Sequence, residues 1–231
     1  MIKCENITKI YKVANQEIIA LNGVSFTAEN GEFVVIVGPS GSGKTTLLNL
    51  LGGMDIPTSG DIFIDDKNIA KFNAKQLTEY RRVGASFVFQ FYNLLANLTA
   101  IENVELAVEI CKNPLDPITI MNEVGLSDRL NSFPSQLSGG EQQRVSIARS
   151  IAKNSGLILC DEPTGALDYE TGKKILKLLY ASSKNYNKTV ILVTHNSALK
   201  DMADKVIFMK SGSAEKIIIN DNPKPIEEID W

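Results

Sequence analysis

Four short apolar runs divide the chain. They are residues 33–37, 87–89, 157–160 and 190–193. Each run is too short for a helix that packs alone, and its apolar residues are continuous instead of alternating with polar ones. Continuous runs are typical of strands covered by helices on both faces, so the pattern predicts a largely parallel sheet. A long stretch with little strand character, residues 91–155, separates the second run from the third and is interpreted as a helical insertion.

Further extended segments are predicted on either side of these runs. Three of them indicate a small antiparallel sheet beside the main one: residues 2–11, 18–28 and 60–65. Near the end of the chain, residues 206–209 and 217–219 flank a Ser-Gly-Ser turn and predict a hairpin. The sequence Asn-Pro-Lys-Pro that begins at Asn222 is expected to start a mobile segment.

The size and composition are those of an ordinary globular domain. The chain has 231 residues, of which 44% are hydrophobic and 22% charged. We expect one domain at residues 1–220, with a helical subdomain at about 91–155, followed by a C-terminal tail at 221–231.

Charge, cysteines and hydropathy narrow the possible functions. The formal net charge of −3 gives no general attraction to polyanions, so no nucleic-acid partner is expected. Cys4, Cys111 and Cys160 lie far apart without metal-ligand spacing and are interpreted as reduced thiols in the cytosol. No apolar run has the length of a membrane span and the first residues lack a secretion signal. We therefore expect the chain neither to cross a membrane nor to be secreted by that route.

The sequence GPSGSGKT at residues 38–45 fits the pattern of a phosphate-binding loop between a strand and a helix. Small residues let backbone N–H groups surround phosphates, and the following helix N-terminus adds partial positive charge. Lys44 is expected to reach the outer phosphates, and Thr45 to be a ligand of Mg²⁺. The predicted nucleotide-binding residues here are Ser40, Gly41, Ser42, Gly43, Lys44, Thr45 and Thr46. A turn without a ligand is the alternative, and kinases and GTPases share such loops.

The sequence LSGGE at residues 137–141 predicts a second site for an anion. Ser138 and Glu141 have the spacing of a capping box, which indicates that a helix begins here. Gly139 and Gly140 leave the helix N-terminus bare, and free N–H groups together with the helix dipole favour negative charge. An ordinary capped helix is the alternative.

Polar residues end three of the four apolar runs. Asp161 and Glu162 follow the third run and leave the strand in different directions. Asp161 can therefore hold Mg²⁺ through water while Glu162 faces the attacking water as a general base. Two exposed acids in a loop are the alternative. Gln90 and His195, the only histidine, end two other runs. Because ligands of open α/β sheets bind outside the carboxyl ends of strands, these side chains are candidates for one site.

Residues 38–45, 137–141 and 161–164 together resemble an ABC-transporter ATPase, and the resemblance covers essentially residues 1–220. It implies an α/β P-loop NTPase fold with a mostly parallel core sheet, a small antiparallel β subdomain and a helical insertion. It also implies that Ser138, Gly139 and Gly140 bind the γ-phosphate of ATP held by a partner subunit. Two ATP molecules would then be clamped between two head-to-tail chains.

The resemblance implies further roles. His195 is similar to the switch histidine, Gln90 to a glutamine that touches Mg²⁺ or water, and Asp168 to a residue near the dimer interface. Tyr11 stands where the family has an aromatic that stacks on adenine, with a core aromatic as the alternative. Gly165 departs from many relatives, which carry serine there. The expected catalytic residues are Glu162, His195 and Lys44, and the expected metal-binding residues are Thr45, Gln90 and Asp161.

The residues that follow Gln90 suggest a protein partner. Residues 91–95 and 98–104 contain large apolar side chains, where a coupling helix of a membrane permease docks in relatives. Internal packing of the helical insertion is the alternative. The resemblance therefore implies ATP and Mg²⁺ as cofactors, a homodimer, a permease partner and a position on the cytoplasmic face of the cell membrane.

Three segments are most similar to one branch of the family, namely residues 51–55, 57–60 and 161–168. That branch includes macrolide-exporter, lipoprotein-release and bacitracin-resistance ATPases, with cell-division relatives close by. It implies export, resistance to an antimicrobial peptide or antibiotic, or lipoprotein handling. An ABC ATPase that regulates a cell-wall or cell-division process is the alternative. A soluble DNA-repair or translation ATPase is disfavoured because the chain has no long coiled-coil or zinc insertion.

Overall fold

Strands and helices alternate along most of the chain in a computed structural model that describes residues 1–14 and 16–230. The strands are β1 (Ile2–Val13), β2 (Gln16–Ala28), β3 (Phe33–Val37), β4 (Ser59–Ile64), β5 (Lys67–Asn68), β6 (Ala85–Val88), β7 (Leu157–Asp161), β8 (Thr189–Thr194), β9 (Lys205–Lys210) and β10 (Ser213–Ile219). The helices are α1 (Lys44–Leu51), α2 (Ala74–Val83), α3 (Ala100–Val108), α4 (Pro117–Glu123), α5 (Gly139–Ala152) and α6 (Tyr169–Asn185). Within these described residues, no helix combines the length and apolar character needed to cross a membrane.

The strands form two sheets. The main sheet has the order β10-β9-β3-β8-β7-β6, and the second has the order β2-β1-β4-β5. In the main sheet β3 is parallel to β8 and β9, and β7 is parallel to β6 and β8. Only the pairing of β10 with β9 is antiparallel there, whereas the pairings of the second sheet are all antiparallel. The predicted parallel core sheet with a small antiparallel sheet is confirmed.

The main sheet is covered on both faces by apolar residues. In β3, Phe33, Val35 and Val37 pack into one core together with α5 and α6. Val34 and Ile36 face the opposite core, which contains α1 and the antiparallel sheet. Every residue of β3 and β8 is buried, which explains why these strands are continuously apolar in sequence.

Residues 91–155 contain α3, α4 and α5 and no strand. Capping boxes begin α3 at Thr99 and α5 at Ser138. Ile147 and Ile151 of α5 belong to the same apolar core as Val190 and Leu192 of β8. The packing therefore fixes the start of α5 relative to the main sheet.

The C-terminal residues pack against α6, which corrects the expectation of a mobile segment beyond Asn222. Ile226 and Ile229 are buried in the core that contains α6. Lys177 of α6 forms an ion pair of 2.5 Å with Glu227. The polar, proline-containing segment does not predict this packing, because the packing depends on contacts of two isoleucines with a helix that is distant in sequence.

We predict that Ile229→Ala lowers the free energy of unfolding by about 2 to 4 kcal/mol, since it removes a buried side chain and leaves a cavity. Chemical denaturation followed by circular dichroism measures the change. Ile219→Ala is the matched control because Ile219 is 68% exposed, and it should change the stability by less than about 0.5 kcal/mol. Equal midpoints for the two variants would contradict the packing of the C-terminal residues.

Candidate functional site

The loop between β3 and α1 has the shape of a phosphate cradle. Gly43 precedes α1 without a side-chain cap, so the first N–H groups of the helix are free. Gly43 has a φ of 97°, and a Cβ at this position would lie 2.4 Å from the Ala20 carbonyl oxygen. The hydroxyl of Ser42 is buried and has no hydrogen-bond partner among the described residues. An unpaired hydroxyl beside a bare helix N-terminus is a donor available to an anion, so the residues fit a phosphate group.

Lys44 places its ammonium group inside this loop. Its Nζ donates hydrogen bonds to the carbonyl oxygens of Gly38 at 2.8 Å and Pro39 at 3.0 Å. In residues 1–14 and 16–230 no carboxylate forms an ion pair with it. Because the buried ammonium is bonded only to neutral carbonyls, its charge remains available to a phosphate.

Thr45 and Asp161 offer oxygen ligands beside the loop. Thr45 Oγ1 donates to Asp161 Oδ1 at 3.4 Å. Burial raises the pKa of Asp161 and the nearby Glu162 adds to this rise, while the Thr45 hydrogen bond and the Lys44 charge partly offset it. A cation would therefore stabilise the ionised carboxylate. A hydroxyl, a carboxylate and nucleotide phosphates make the kind of oxygen set that Mg²⁺ prefers, so these residues fit that ion.

Glu162 is held at the carboxyl ends of β7 and β8. Its φ of 47° lies in the left-handed region, which residues other than glycine rarely adopt. Its Oε1 accepts a hydrogen bond from the His195 backbone N–H at 2.8 Å and lies 2.8 Å from His195 Nδ1. Its Oε2 accepts a hydrogen bond from Thr194 Oγ1 at 3.0 Å. Surrounding contacts that fix a strained residue are common at functional sites, and here they orient both carboxylate oxygens.

The turn after Glu162 lies between Gln90 and α5. The Gly165 N–H donates to the Glu162 carbonyl oxygen at 3.1 Å and closes the turn. A Cβ at Gly165 would lie 3.3 Å from Gln90 Nε2, so the Gln90 amide is beside this turn. On the other side, Gln143 Nε2 donates to the Pro163 carbonyl oxygen at 2.9 Å. The structure thus brings Gln90 to the segment that carries Glu162.

The helix α5 begins with the capping box that the sequence predicts. Ser138 Oγ accepts a hydrogen bond from the Glu141 N–H at 3.3 Å, and the Ser138 N–H donates to Glu141 Oε2 at 2.8 Å. A Cβ at Gly140 would lie 2.4 Å from Thr171 Cγ2, so glycine lets α5 start close to α6. Within the described parts of the chain, no hydrogen bond joins Ser138, Gly139 or Gly140 to the phosphate loop.

Tyr11 lies half-buried near Thr46, the third residue of α1. Its hydroxyl donates to Asp55 Oδ2 at 2.9 Å, and Lys9 Nζ lies 4.8 Å from the centre of its ring. Burial and the Asp55 carboxylate raise the pKa of Tyr11, while a hydrogen bond with Thr46 lowers it. The ring is therefore near the phosphate loop, and its stacking on adenine stays a prediction.

Three polar residues at the site were not predicted from the sequence: Thr194, Gln143 and Asp55. Thr194 is the last residue of β8, so the rule that selected His195 could also have found its hydroxyl. Gln143 and Asp55 act through contacts with residues about 20 and 44 positions away, at Pro163 and Tyr11. No local sequence pattern reports such contacts.

These features define an ATPase of the α/β P-loop class. The sequence matches the family model described as ABC transporter over residues 21–165, which is more than half of the chain. The chain belongs to the ABC transporter family and carries its ATPase domain.

Two relatives illustrate how far the similarity extends. The putative ABC transporter ATP-binding protein MG065 homolog of Mycoplasma pneumoniae is 42% identical over 100% of this chain and 50% of its own length. The uncharacterized ABC transporter ATP-binding protein MJ0796 of Methanocaldococcus jannaschii is 43% identical over 94% of this chain and 96% of its own length. This chain therefore spans about half the length of the Mycoplasma relatives.

Solved structures of MJ0796 share the fold. A dimeric structure of MJ0796 superposes with a TM-score of 0.87 at 41% identity, and the match covers 95% of this chain and 98% of that chain. A dimeric post-hydrolysis state of MJ0796 bound to ADP and Pi gives a TM-score of 0.86 at 40% identity, again over 95% and 98% of the two chains.

Proposed function

We propose that this chain is the ATP-hydrolysing subunit of a bacterial ABC transporter and that two copies close head to tail around two ATP molecules with Mg²⁺. The observation that carries the proposal is the N-terminus of α5, where the capping box uses the N–H groups of Ser138 and Glu141. The N–H groups of Gly139 and Gly140 have no hydrogen-bond partner among the described residues, and free N–H groups at a helix N-terminus favour an anion. No hydrogen bond within the described residues joins it to the phosphate loop of its own chain. The dimeric structures of MJ0796 support an arrangement in which a second copy supplies the phosphate.

In the closed dimer each group has a defined role. Lys44 and the free N–H groups of α1 bind the phosphates, and Thr45 and Asp161 hold Mg²⁺, which when bound neutralises charge on the phosphate oxygens. Glu162 accepts the proton of the attacking water, a contribution of about 10²- to 10⁴-fold. His195 fixes the Glu162 carboxylate through its backbone N–H and its ring.

A surface next to Gln90 suits a membrane partner. Phe91 is 76% exposed. Phe89, two residues before it in sequence, lines a cavity of about 330 Å³ together with Met54 and Phe87. We call these four residues the docking surface. Exposed apolar side chains beside an aromatic cavity favour a protein partner, and we propose that an apolar helix of an integral membrane permease docks here, on the cytoplasmic face of the membrane. The similarity in sequence to exporter and lipoprotein-release ATPases favours export, antimicrobial resistance or lipoprotein handling.

Affinity capture from solubilised membranes tests the partner. We expect the tagged chain to recover a permease and Phe91→Asp to recover about tenfold less, because a charge replaces an apolar anchor. Ile219→Asp is the matched control, since Ile219 is 68% exposed on β10, and it should recover the permease normally.

The captured protein also decides between two functions. A permease with a large extracellular domain, together with export-linked resistance, supports transport. A membrane protein that activates a cell-wall hydrolase supports the alternative, an ABC ATPase that regulates a cell-wall or cell-division process. Equal recovery by the two aspartate variants would contradict the docking surface.

A further inference from the structure

Gln143 is a polar residue of α5 and is completely buried. Its exposure is 0%, and its Nε2 donates to the Pro163 carbonyl oxygen at 2.9 Å. The orientation of the amide is fixed, because two oxygens facing each other would both be acceptors. Its Oε1 is buried and has no hydrogen-bond partner among the described residues. The amide nitrogen of Gln143 therefore forms a hydrogen bond, whereas its amide oxygen forms none among the described residues.

Packing alone does not account for glutamine at this position. Further along α5, Val145 and Ile147 are apolar and belong to the core, so an apolar side chain would suit the buried environment. Methionine has similar length and would fill the space without leaving a buried oxygen unpaired, which is destabilising. A buried group that violates the rules of packing often lies at a functional site, so the donor of Gln143 needs a functional reason.

The hydrogen bond from Gln143 holds the backbone of Pro163, the residue that follows the proposed general base Glu162. Pro163 has no N–H, so its carbonyl oxygen is the one backbone group through which it can form a hydrogen bond. The residue before it, Glu162, has a φ of 47°. Gly165 holds the carbonyl oxygen of Glu162 at 3.1 Å, and Gln143 holds that of Pro163. Gln143 thus fixes the turn immediately after a strained residue, from a helix that begins four residues earlier, at Gly139.

We propose that Gln143 is a positioning residue that links the N-terminus of α5 to the general base of the same chain. The inference rests on the proposed function, in which residues 138–140 bind the nucleotide of the partner subunit. When that nucleotide engages α5, the Gln143 donor keeps the Glu162 turn in the geometry in which the carboxylate faces the attacking water. ATP bound in one site therefore acts on the base of the other site through one buried side chain.

The test is Gln143→Met, which keeps length and packing but removes the donor. We expect kcat for ATP hydrolysis to fall by about 10- to 100-fold, the effect of a small misplacement of a reacting group. KM for ATP should stay within about twofold and the Tm should not fall. Gln142→Met is the matched control, since Gln142 Nε2 donates to the Leu137 carbonyl oxygen at 3.1 Å and does not touch the turn. Its kcat should stay within about twofold of the wild type.

A purely structural role predicts a different result. Three results would overturn the proposal. They are a lower Tm with unchanged kcat, an equal loss of kcat in both variants, and a lower activity that is caused by a rise in KM while kcat is unchanged. Hydrogen exchange of the nucleotide-free chain is a second test. The Gly165 N–H should exchange faster in Gln143→Met than in the wild type, and Gln142→Met should leave its exchange unchanged. Unchanged exchange at Gly165 would contradict the link. If the wild-type chain itself does not hydrolyse ATP, the proposed function fails and this inference fails with it.

Discussion

Replacing Glu162 with glutamine is expected to stop ATP turnover while leaving ATP binding intact. The amide keeps the size of the carboxylate and can still accept the hydrogen bond from the His195 N–H, but it cannot accept a proton from water. The loss should be about 10²- to 10⁴-fold, the usual contribution of a general base. Phosphate release measures turnover, and titration with a fluorescent ATP analogue measures binding.

Glu170→Gln is the control for this substitution. Glu170 lies exposed in the first turn of α6, and replacing it with glutamine changes the charge by the same amount. The control should hydrolyse ATP at the wild-type rate. Turnover in Glu162→Gln within about threefold of that rate would show that another group accepts the proton.

Lys44→Ala is expected to abolish nucleotide binding itself. The substitution removes a buried cation inside the phosphate loop, and with it the charge-assisted hydrogen bonds that the ammonium group would donate to phosphate. The dissociation constant for ATP should rise by about 100-fold or more, which corresponds to about 3 kcal/mol. Isothermal titration calorimetry measures the affinity directly.

Lys188→Ala is a matched control for the loss of a buried lysine. Lys188 is also buried, and its Nζ donates to the Asn154 carbonyl oxygen at 3.2 Å, away from the phosphate loop. If the loss of a buried lysine lowers the affinity for ATP only by destabilising the fold, the affinity should fall in both variants. Wild-type affinity for ATP in Lys44→Ala would overturn the assignment of the loop.

The central strands could be predicted because their environment imposes one simple pattern. β3 and β8 are buried on both faces, so neither strand has a position that favours a polar side chain. Their carboxyl ends are where the chain places Thr194, His195 and the phosphate loop, and this edge follows from the parallel order of the strands. The capping box at Ser138 is local in sequence, which explains why the start of α5 was predicted at the right residue.

Contacts between distant residues could not be predicted in the same way. Ile226 and Ile229 dock on α6, which begins more than fifty residues earlier, and nothing in the neighbouring Pro-Lys-Pro sequence indicates this. The bond from Gln143 to Pro163 depends on the packing of α5 against the sheet. The ring of Tyr11 is oriented by Asp55 from another part of the chain. Each of these contacts is a property of the folded chain and has no local signal.

The head-to-tail dimer is the central claim, and it depends on Ser138 acting on the partner's nucleotide. Ser138→Asp keeps a good helix N-cap but places a negative charge where the partner's γ-phosphate should bind. Thr99→Asp makes the same change at the capping box of α3 and serves as the control. Both variants are to be made in the Glu162→Gln background, in which bound ATP persists.

Light scattering after size-exclusion chromatography with ATP and Mg²⁺ measures the mass of each species. Glu162→Gln and its Thr99→Asp derivative should have twice the 25.3 kDa mass of one chain, and the Ser138→Asp derivative should bind ATP as a single chain. A Glu162→Gln chain that remains single with ATP bound, or a Ser138→Asp derivative that still forms the dimer, would contradict the head-to-tail arrangement.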